Sequence, residues 1–592
     1  VRSGMDAGQL EDMPMGEDDE GMIVSSNTGQ DLKKSESKRY EANLPRYKTR
    51  LFAAECLSRL PFAVGMHPAH FDLVKARQEE GGHWLVLHLG ELVALAYQVA
   101  TGSLESVRPM GVELLDTILD KFGKTQDPEF EGHLLLEQYQ AQLVSAVRTA
   151  LEPSSGPLLM AVGSRLAARI ITSGVAGGDR GVLQRVHGLI TRPLTKWEDL
   201  RIPSYAEWVG CKVQISILGA HAAVKTYIFA SSQGHLNAPD GVVLLPLLAP
   251  HMRLLGRCWI GLLRDYTAIR THWATKMQPR YEPFLDGIQL ATVAEVVLPH
   301  LNESWPVILE AVTINVTSDT PEEHNLNTNG KASPSASVEI NATEYKQVWT
   351  LSIMILSDSQ HQRASMRQSI TSFPSFNGRL LISGPTSEYE LVALRALQSL
   401  CTQRFHRPDM LSVDLCQELL QILLAHRLND HMWAPAAIVH ILEQIINSSS
   451  DVYMKNRDLV MKVAELCLRY IHRLQGSDLS QSWRFSELDA LVCLALRSAG
   501  SLAARMTKEC HSVLLPQLLE AGIEVLSDGP ALGNSASAAV GFITAITMSM
   551  TKSSDGTEMS FGQEDCATVL TSAVETMAQI VENFAIGVSE SE

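Results

Sequence analysis

What this sequence lacks narrows its chemistry before any pattern is sought. Its nine cysteines, Cys56, Cys211, Cys258, Cys401, Cys416, Cys467, Cys493, Cys510 and Cys566, form no CxxC pair and no cluster with histidines at metal-ligand spacing. That scatter argues against a disulfide framework or a zinc site and fits buried, reduced thiols of a cytosolic protein. No apolar run reaches the ~18 residues that mark a membrane-spanning helix. The best candidate, Val242 to Leu263, is broken by His251, Arg253 and Arg257. Positive charge is short, with 49 Lys and Arg against 66 Asp and Glu. A net charge of -17 excludes a general nucleic-acid binder, which needs a basic face to displace counterions from phosphates, and favours protein partners. There is no GxSxG elbow, GxxxxGK[ST] loop, GxGxxG turn, HExxH pair or EF-hand ladder, so neither an enzyme nor a cofactor or metal is expected. Period-two strand patterns are nearly missing as well. Aromatic residues make up 6% against 45% hydrophobic overall, a balance suited to aliphatic helix packing.

What the chain does have is one amphipathic helical stretch after another, each closed by Gly or Pro. From Gly111 to Leu151, Val112, Leu115, Ile118, Leu119 and Phe122 recur at spacings of three and four and share one face. Gly123 is expected to end that helix at positive φ, and Asp127-Pro128 to turn the chain. Leu136, Tyr139, Leu143, Val144, Val147 and Leu151 form the next stripe, up to Pro153. Neither helix alone hides its apolar face, so the two are expected to pair as a hairpin and stack on the next, at a period of roughly 40 residues. Further helices are expected near Trp84 to Ala100, Leu158 to Ser173, Tyr205 to Ala230, Val242 to Trp273 (broken at Pro246 and Pro250) and Ile288 to Val316. In the second half they are expected at Glu388 to Phe405, Val413 to His426, Ala436 to Asn447, Arg457 to Leu474, Phe485 to Ala504, Cys510 to Leu526, Ser535 to Met550 and Glu564 to Phe584. The fold class is therefore all-α, an α-solenoid of HEAT/armadillo-like hairpins.

Composition divides the chain further. Residues 1–42, with the acidic run Glu17-Asp18-Asp19-Glu20 and few large apolar side chains, read as a disordered acidic arm. A first solenoid block is expected over 43–317, a flexible loop over 318–343, a helix over 344–357, a flexible linker over 358–385 and a second solenoid block over 386–592. The linker holds Ser365 and Ser369, each two residues after an arginine, a context where phosphate would add about two negative charges.

Short motifs with chemical meaning mostly yield to packing. His67 and His70 are three apart, but Pro68 intervenes and no carboxylate or cysteine completes a metal site. Glu131 with Leu135-Leu136 has the form of an acidic dileucine sorting signal, and Tyr389 with Val392 that of a tyrosine signal. Both fall on apolar helical stripes. Phe561-Gly562 in acidic surroundings has the form of an adaptor-binding peptide, though a helix-start loop explains it equally. Asn302, Asn315, Asn341 and Asn447 head Asn-x-Ser/Thr triplets with no signal peptide to support them. Arg46, Lys48 and Arg50 are read as a solvated helix face in preference to a lipid contact.

Several runs are similar to the HEAT-repeat-containing protein 5 family: Asn43-Leu44-Pro45-Arg46-Tyr47-Lys48-Thr49-Arg50, then Pro68-Ala69-His70-Phe71-Asp72-Leu73, the long run from Gly132 to Leu151, and Pro203-Ser204-Tyr205-Ala206-Glu207-Trp208-Val209. The resemblance is strong from about Asn43 to Tyr266 and rests on helix pattern from there on. It implies an internal fragment of a large cytosolic scaffold, peripheral at the trans-Golgi network, endosomes and endocytic vesicles. Such a scaffold would associate with the clathrin adaptor and accessory proteins and serve endocytosis and retrograde endosome-to-Golgi transport, with membrane contact indirect. It supplies no catalytic residues, and no partner-binding residue can be named from it. An importin-like cargo or nuclear-transport receptor would share the solenoid and the acidity, and a carbohydrate-active enzyme would need carboxylates converging in a cleft.

Overall fold

The computed structural model describes residues 47–552 apart from 80, 201–204, 233–239, 276–281, 317–334, 369–385, 408, 426–432, 449–450, 473–484 and 528–532, together with residues 571 and 578. It divides into two compact units, Val1–Glu339 and Ile340–Glu592. Among the described residues there is no strand, only an isolated antiparallel bridge between Gln126 and Leu134. The expected acidic arm, Ser369, Phe561-Gly562 and the helix Glu564 to Phe584 lie outside the described residues, apart from positions 571 and 578.

The first unit contains α1 (Tyr47–Ala63), α2 (Leu73–Gln78), α3 (Leu89–Thr101), α4 (Arg108–Phe122), α5 (Gln140–Ala150), α6 (Pro157–Thr172), α7 (Arg180–Thr191), α8 (Glu207–Ser232), α9 (Asp240–Leu248), α10 (Met252–Thr275) and α11 (Ala291–Thr313). They form two layers. In one, α3, α5, α7 and α9 follow side by side; in the other, α1, α4, α6, α8 and α11 do, with α10 against α11. Each expected stripe faces the neighbour that covers it: Val112, Leu115, Ile118, Leu119 and Phe122 of α4 and Leu136, Leu143, Val147 and Leu151 around α5 are all buried. At roughly 1.5–3 kcal/mol for each large apolar side chain withdrawn from water, the seams outweigh any intrinsic preference of helices this short.

The second unit repeats the plan with α12 (Ala342–Gln368), α13 (Thr386–Leu400), α14 (Val413–Ala425), α15 (Trp433–Ser448), α16 (Arg457–Ile471), α17 (Phe485–Arg505), α18 (Lys508–Ser527) and α19 (Gly533–Lys552). One layer runs α12, α14, α16, α18, and the other α13, α15, α17, α19. This is the pairwise stacking of a HEAT-type α-solenoid.

A recurring device sets the helices in register. Arg469 Nη1 of α16 donates to Leu424 O of α14 at 2.6 Å. Arg505 of α17 bonds Ile446 O of α15, and Arg192, just after α7, bonds Leu151 O at the end of α5. In each case an arginine at the C-terminal end of one helix caps the carbonyls ending the previous helix of the same layer, where the dipole favours a cation. Asn341 opens α12 as a capping box: its Oδ1 accepts from Thr343 and Glu344 N–H, and Glu344 accepts from Asn341 N–H at 2.9 Å.

Four expectations need correction. Gly123 ends α4 at φ -62, in the right-handed region, and the positive φ falls instead at Gly132 (φ 85) in the following loop. Pro246 does not break its helix: it sits inside α9 on the exposed side, where the carbonyl it leaves unpaired meets water, while Pro250 lies in a 3-10 turn, Ala249–His251. The loop expected over 318–343 ends early. Ala336, Val338 and Ile340 are buried while Ser335, Glu339 and Asn341 are exposed, so an extended strap with period-two burial leads into α12. Finally, the linker expected from 358 begins later, because α12 runs on to Gln368 and carries Ser365 within it. Helix α7 was not expected. Its signals, the Asp179 cap on Val182 N–H and the stripe Val182, Leu183, Val186, Ile190, follow a glycine-rich stretch that hides the start.

Two glycines separate packing from propensity. A Cβ on Gly111 of α4 would lie 2.3 Å from Ala100 N, a backbone atom that cannot give way, whereas one on Gly188 of α7 meets nothing within 4 Å. Gly111→Ala is expected to lower stability by about 1–3 kcal/mol, and Gly188→Ala to raise it by about 0.5–1 kcal/mol. Urea melts of the two variants check the opposite signs.

Candidate interaction surface

The motif residues singled out in the sequence are largely taken up by structure. His67 caps a 3-10 turn, its Nδ1 accepting from Ala69 N–H, and stacks on Trp84 at 5.0 Å; His70 Nδ1 accepts from Leu85 N–H at 3.2 Å. Among the described residues no three His, Cys, Asp or Glu side chains gather as a metal group. Leu135 and Leu136 are buried, closing the dileucine to a receptor, and Tyr389 and Val392 are half-buried on α13. Asn302 Oδ1 accepts from Tyr266 OH, and Asn341 is the α12 cap. Among the described residues eight cysteines are outside any disulfide, and seven of them are buried. Burial pushes the thiols of Cys211, Cys416 and Cys467 up to about 12, which leaves them protonated and poor nucleophiles.

Deep in the first unit, charged groups serve the backbone. Lys225 of α8 is fully buried, and its ammonium donates to Ala311 O at 2.6 Å and Ile314 O at 3.1 Å, the C-terminal carbonyls of α11, with the Trp259 ring 5.8 Å away. Buried Asp265 accepts N–H bonds from Phe284 and Leu285 and fixes the turn before α11. Asp240 accepts from Tyr227 OH at 2.9 Å at the start of α9. These are helix-end and turn contacts, with every group committed, and they do not converge as acid, base and nucleophile must.

The solvent side of the α1–α4–α6–α8–α11 layer is different. Glu113, Asp116 and Asp120 occupy one face of α4, and Arg165 and Arg169 the facing side of α6. Arg169 bonds Asp116 and Asp120 at 2.6 Å each, and Arg165 bonds Glu113 at 3.0 Å and Glu303 of α11 at 3.3 Å. Because α8 lies between α6 and α11, Arg165 reaches over it and links helices that do not adjoin. Apart from Asp116, 15% exposed, these side chains are about a third to a half exposed, and such pairs contribute little stability. Their effect is an alternating charged stripe on an otherwise acidic chain. The spacings of three and four among these charges were legible as a helix-face signal, but nothing in the sequence paired α4 with α6 and α11.

Residues 84–268, from the turn before α3 into α10, match the model of the Laa1/Sip1/HEATR5 HEAT repeat region. The chain carries a HEAT-repeat region of the Laa1/Sip1/HEATR5 family. It is 39% identical over 476 residues to Protein SWEETIE of Arabidopsis thaliana, covering 78% of this chain and 21% of that protein. It is 24% identical over 192 residues to the AP-1 accessory protein LAA1 of Saccharomyces cerevisiae, covering 31% of this chain and 9% of LAA1. The chain thus spans about a fifth of SWEETIE and less of LAA1. Among solved structures, a circular tandem repeat protein with novel repeat topology aligns over 86% of this chain and 97% of its own at 12% identity, with a TM-score of 0.20, which carries no argument. Within the run from Gly132 to Leu151 that carried the resemblance in sequence, Leu136, Leu143 and Val147 are seam residues of this HEAT region.

Among the described residues one helix, α8, is long and apolar enough to cross a membrane by length and composition; the run Val242 to Leu263, already set aside in the sequence, is not. Its apolar window is 72% buried, since α6 and α11 cover it on both sides. The same interior holds two histidines. His187 and His221 face each other at 6.2 Å, and burial, aided by neighbouring His251, lowers them from 6.5 to about 4 and about 3. A folded pKa below the unfolded value means the unfolded chain takes up protons first, so the stability these groups contribute is complete above pH 6.5 and is lost as pH falls toward 4. Thermal melts are expected to drop across that window and to drop less steeply in His187→Leu/His221→Leu. An unchanged slope in the double variant contradicts the assignment.

Proposed function

We propose that the chain is a non-enzymatic HEAT-repeat scaffold in membrane trafficking that associates with the clathrin adaptor of the trans-Golgi network and endosomes. Its proposed roles are endocytosis and retrograde endosome-to-Golgi transport. The observation that carries this reading is the similarity to a yeast protein whose name records it as an AP-1 accessory protein, beside the match of residues 84–268 to the HEAT-repeat region of the same family. A stack of this kind offers many shallow contacts on one scaffold, and several weak contacts made together raise retention by orders of magnitude over each alone. Attachment to membranes is indirect, through the adaptor: a net charge of -17 repels anionic lipid, and the longest apolar helix is enclosed by its neighbours. The protein acts from the cytosol, peripheral to those membranes.

Proximity labelling in cells, with the whole chain fused to the labelling enzyme, tests this directly. Adaptor subunits are expected among the most enriched neighbours, at least tenfold over a cytosolic control. Enrichment of a nuclear-transport GTPase with no adaptor subunit contradicts the proposal and favours an importin-like receptor.

A further inference from the structure

The two layers of the first unit carry charge differently. Helices α5, α7 and α9, and α10, which follows α9 through the turn Ala249–His251, bear Arg148, Arg180, Arg185, Arg253 and Arg257, all exposed. The carboxylates of these four helices, Asp240 and Asp265, are both buried, bonded to Tyr227 OH and to the Phe284 and Leu285 amides. Among the described residues none of the five arginines forms an ion pair, whereas Arg165 and Arg169 of the opposite layer are each shared between two carboxylates. A helix in a two-layer stack has the other layer beneath it and neighbours on its flanks, so exposed residues on successive helices look out on one side. Helices α5 and α7 stand inside their layer, with α3 on one flank and α9 on the other, so the exposure of Arg148 and Arg185 owes nothing to either end of the chain. His251 approaches His187 of α7, which sets Arg253 beside that helix. On a chain with 66 acidic residues against 49 basic ones, this side of the stack is basic.

We propose that this face binds an acidic segment of a partner protein, laid in extended form across α5, α7 and the start of α10. Charge complementarity selects the ligand: five cations with no anion among them take a chain of carboxylates, and the planar fork of arginine pairs a carboxylate through two parallel hydrogen bonds. Spacing selects its form. Neighbouring helices of a layer lie about 8–10 Å apart, which sets the interval from Arg148 to Arg185 and from Arg185 to Arg253. An extended chain advances about 3.3 Å per residue, so carboxylates at every third residue keep step with the helices. The acidic groups of the opposite layer lie about one helix diameter or more away, beyond the screening length of about 8 Å at physiological salt, and do not cancel the attraction. An anionic bilayer, by contrast, meets the broad surface of a chain whose net charge is -17. This surface is independent of the adaptor reading, because it follows from charge and spacing alone.

Fluorescence anisotropy of the 592-residue chain with a labelled peptide carrying Glu at every third position among Gly and Ser tests the assignment. Saturable binding is expected, weakening about tenfold between roughly 50 and 200 mM salt. A peptide of the same composition with its glutamates in one block is expected to bind less tightly. The triple variant Arg148→Gln/Arg185→Gln/Arg253→Gln is expected to lose about tenfold or more in affinity, and Arg165→Gln, on the opposite layer, to lose none. All three positions of the triple variant are exposed, so circular dichroism should confirm unaltered helix content. Glu at the same three positions is expected to transfer binding to the peptide with Lys in place of Glu, a gain that a folding defect cannot mimic. A wild-type chain that binds no acidic peptide overturns the proposal, including the case where another part of the chain already covers the arginines. So does binding that survives the triple exchange, and so does co-sedimentation with phosphatidylserine vesicles through the same arginines in place of peptide binding.

Discussion

No helix in this chain can be stable alone, because each carries an apolar stripe that water penalises and only a neighbouring helix covers. Everything else in the two units follows from that requirement. Helices of 11 to 26 residues, such as α5 and α8, gain little from backbone hydrogen bonds net of entropy. They persist because Leu143 and Val147 or Val213 and Ile217 are withdrawn from water by the next layer. The close crossing at Gly111, the arginine caps on preceding helix ends and the Asn341 capping box are refinements that fix distance and register once the seams have met.

The same requirement explains why the interior of the first unit holds charge. Lys225, Asp265 and Asp240 are where a catalytic reading would look, yet each is committed to a carbonyl, an amide or a phenol where a helix or turn begins or ends. A stack leaves unpaired backbone groups at every helix end, and buried polar side chains are a direct way to satisfy them. On the outside of the first unit lies the Glu113–Arg165–Glu303 and Asp116–Arg169 stripe.

Much of this was legible in the sequence, and the gaps have physical causes. The stripes of α4 and α5 and the helices of the second unit could be read because long, regular spacing of aliphatic residues has one interpretation. In the run from Gly132 to Leu151 the family resemblance rested in part on the seam residues Leu136, Leu143 and Val147, so fold and family were read there from the same side chains. Helix α7 was hidden by glycines around its start, and the strap at Ala336, Val338 and Ile340 by the polar Ser337 and Glu339 between them, which made a packed extended segment look like a loop. Pro246 was misread because proline's cost depends on whether the freed carbonyl sees water, a property of the assembled layers. The charged stripe on α4, α6 and α11 depends on contacts up to 138 residues apart, which no local pattern encodes.

The central claim, that stability resides in seams shared between neighbours, is tested most directly by hydrogen exchange of the native chain resolved along the sequence, at a dilution that keeps copies apart. In the first unit the account predicts the slowest exchange in α6 and α8, which are covered on both sides, and markedly faster exchange in α1, which among the described residues is covered on one. Exchange in α8 as fast as in α1, or uniform across the layer, would contradict it.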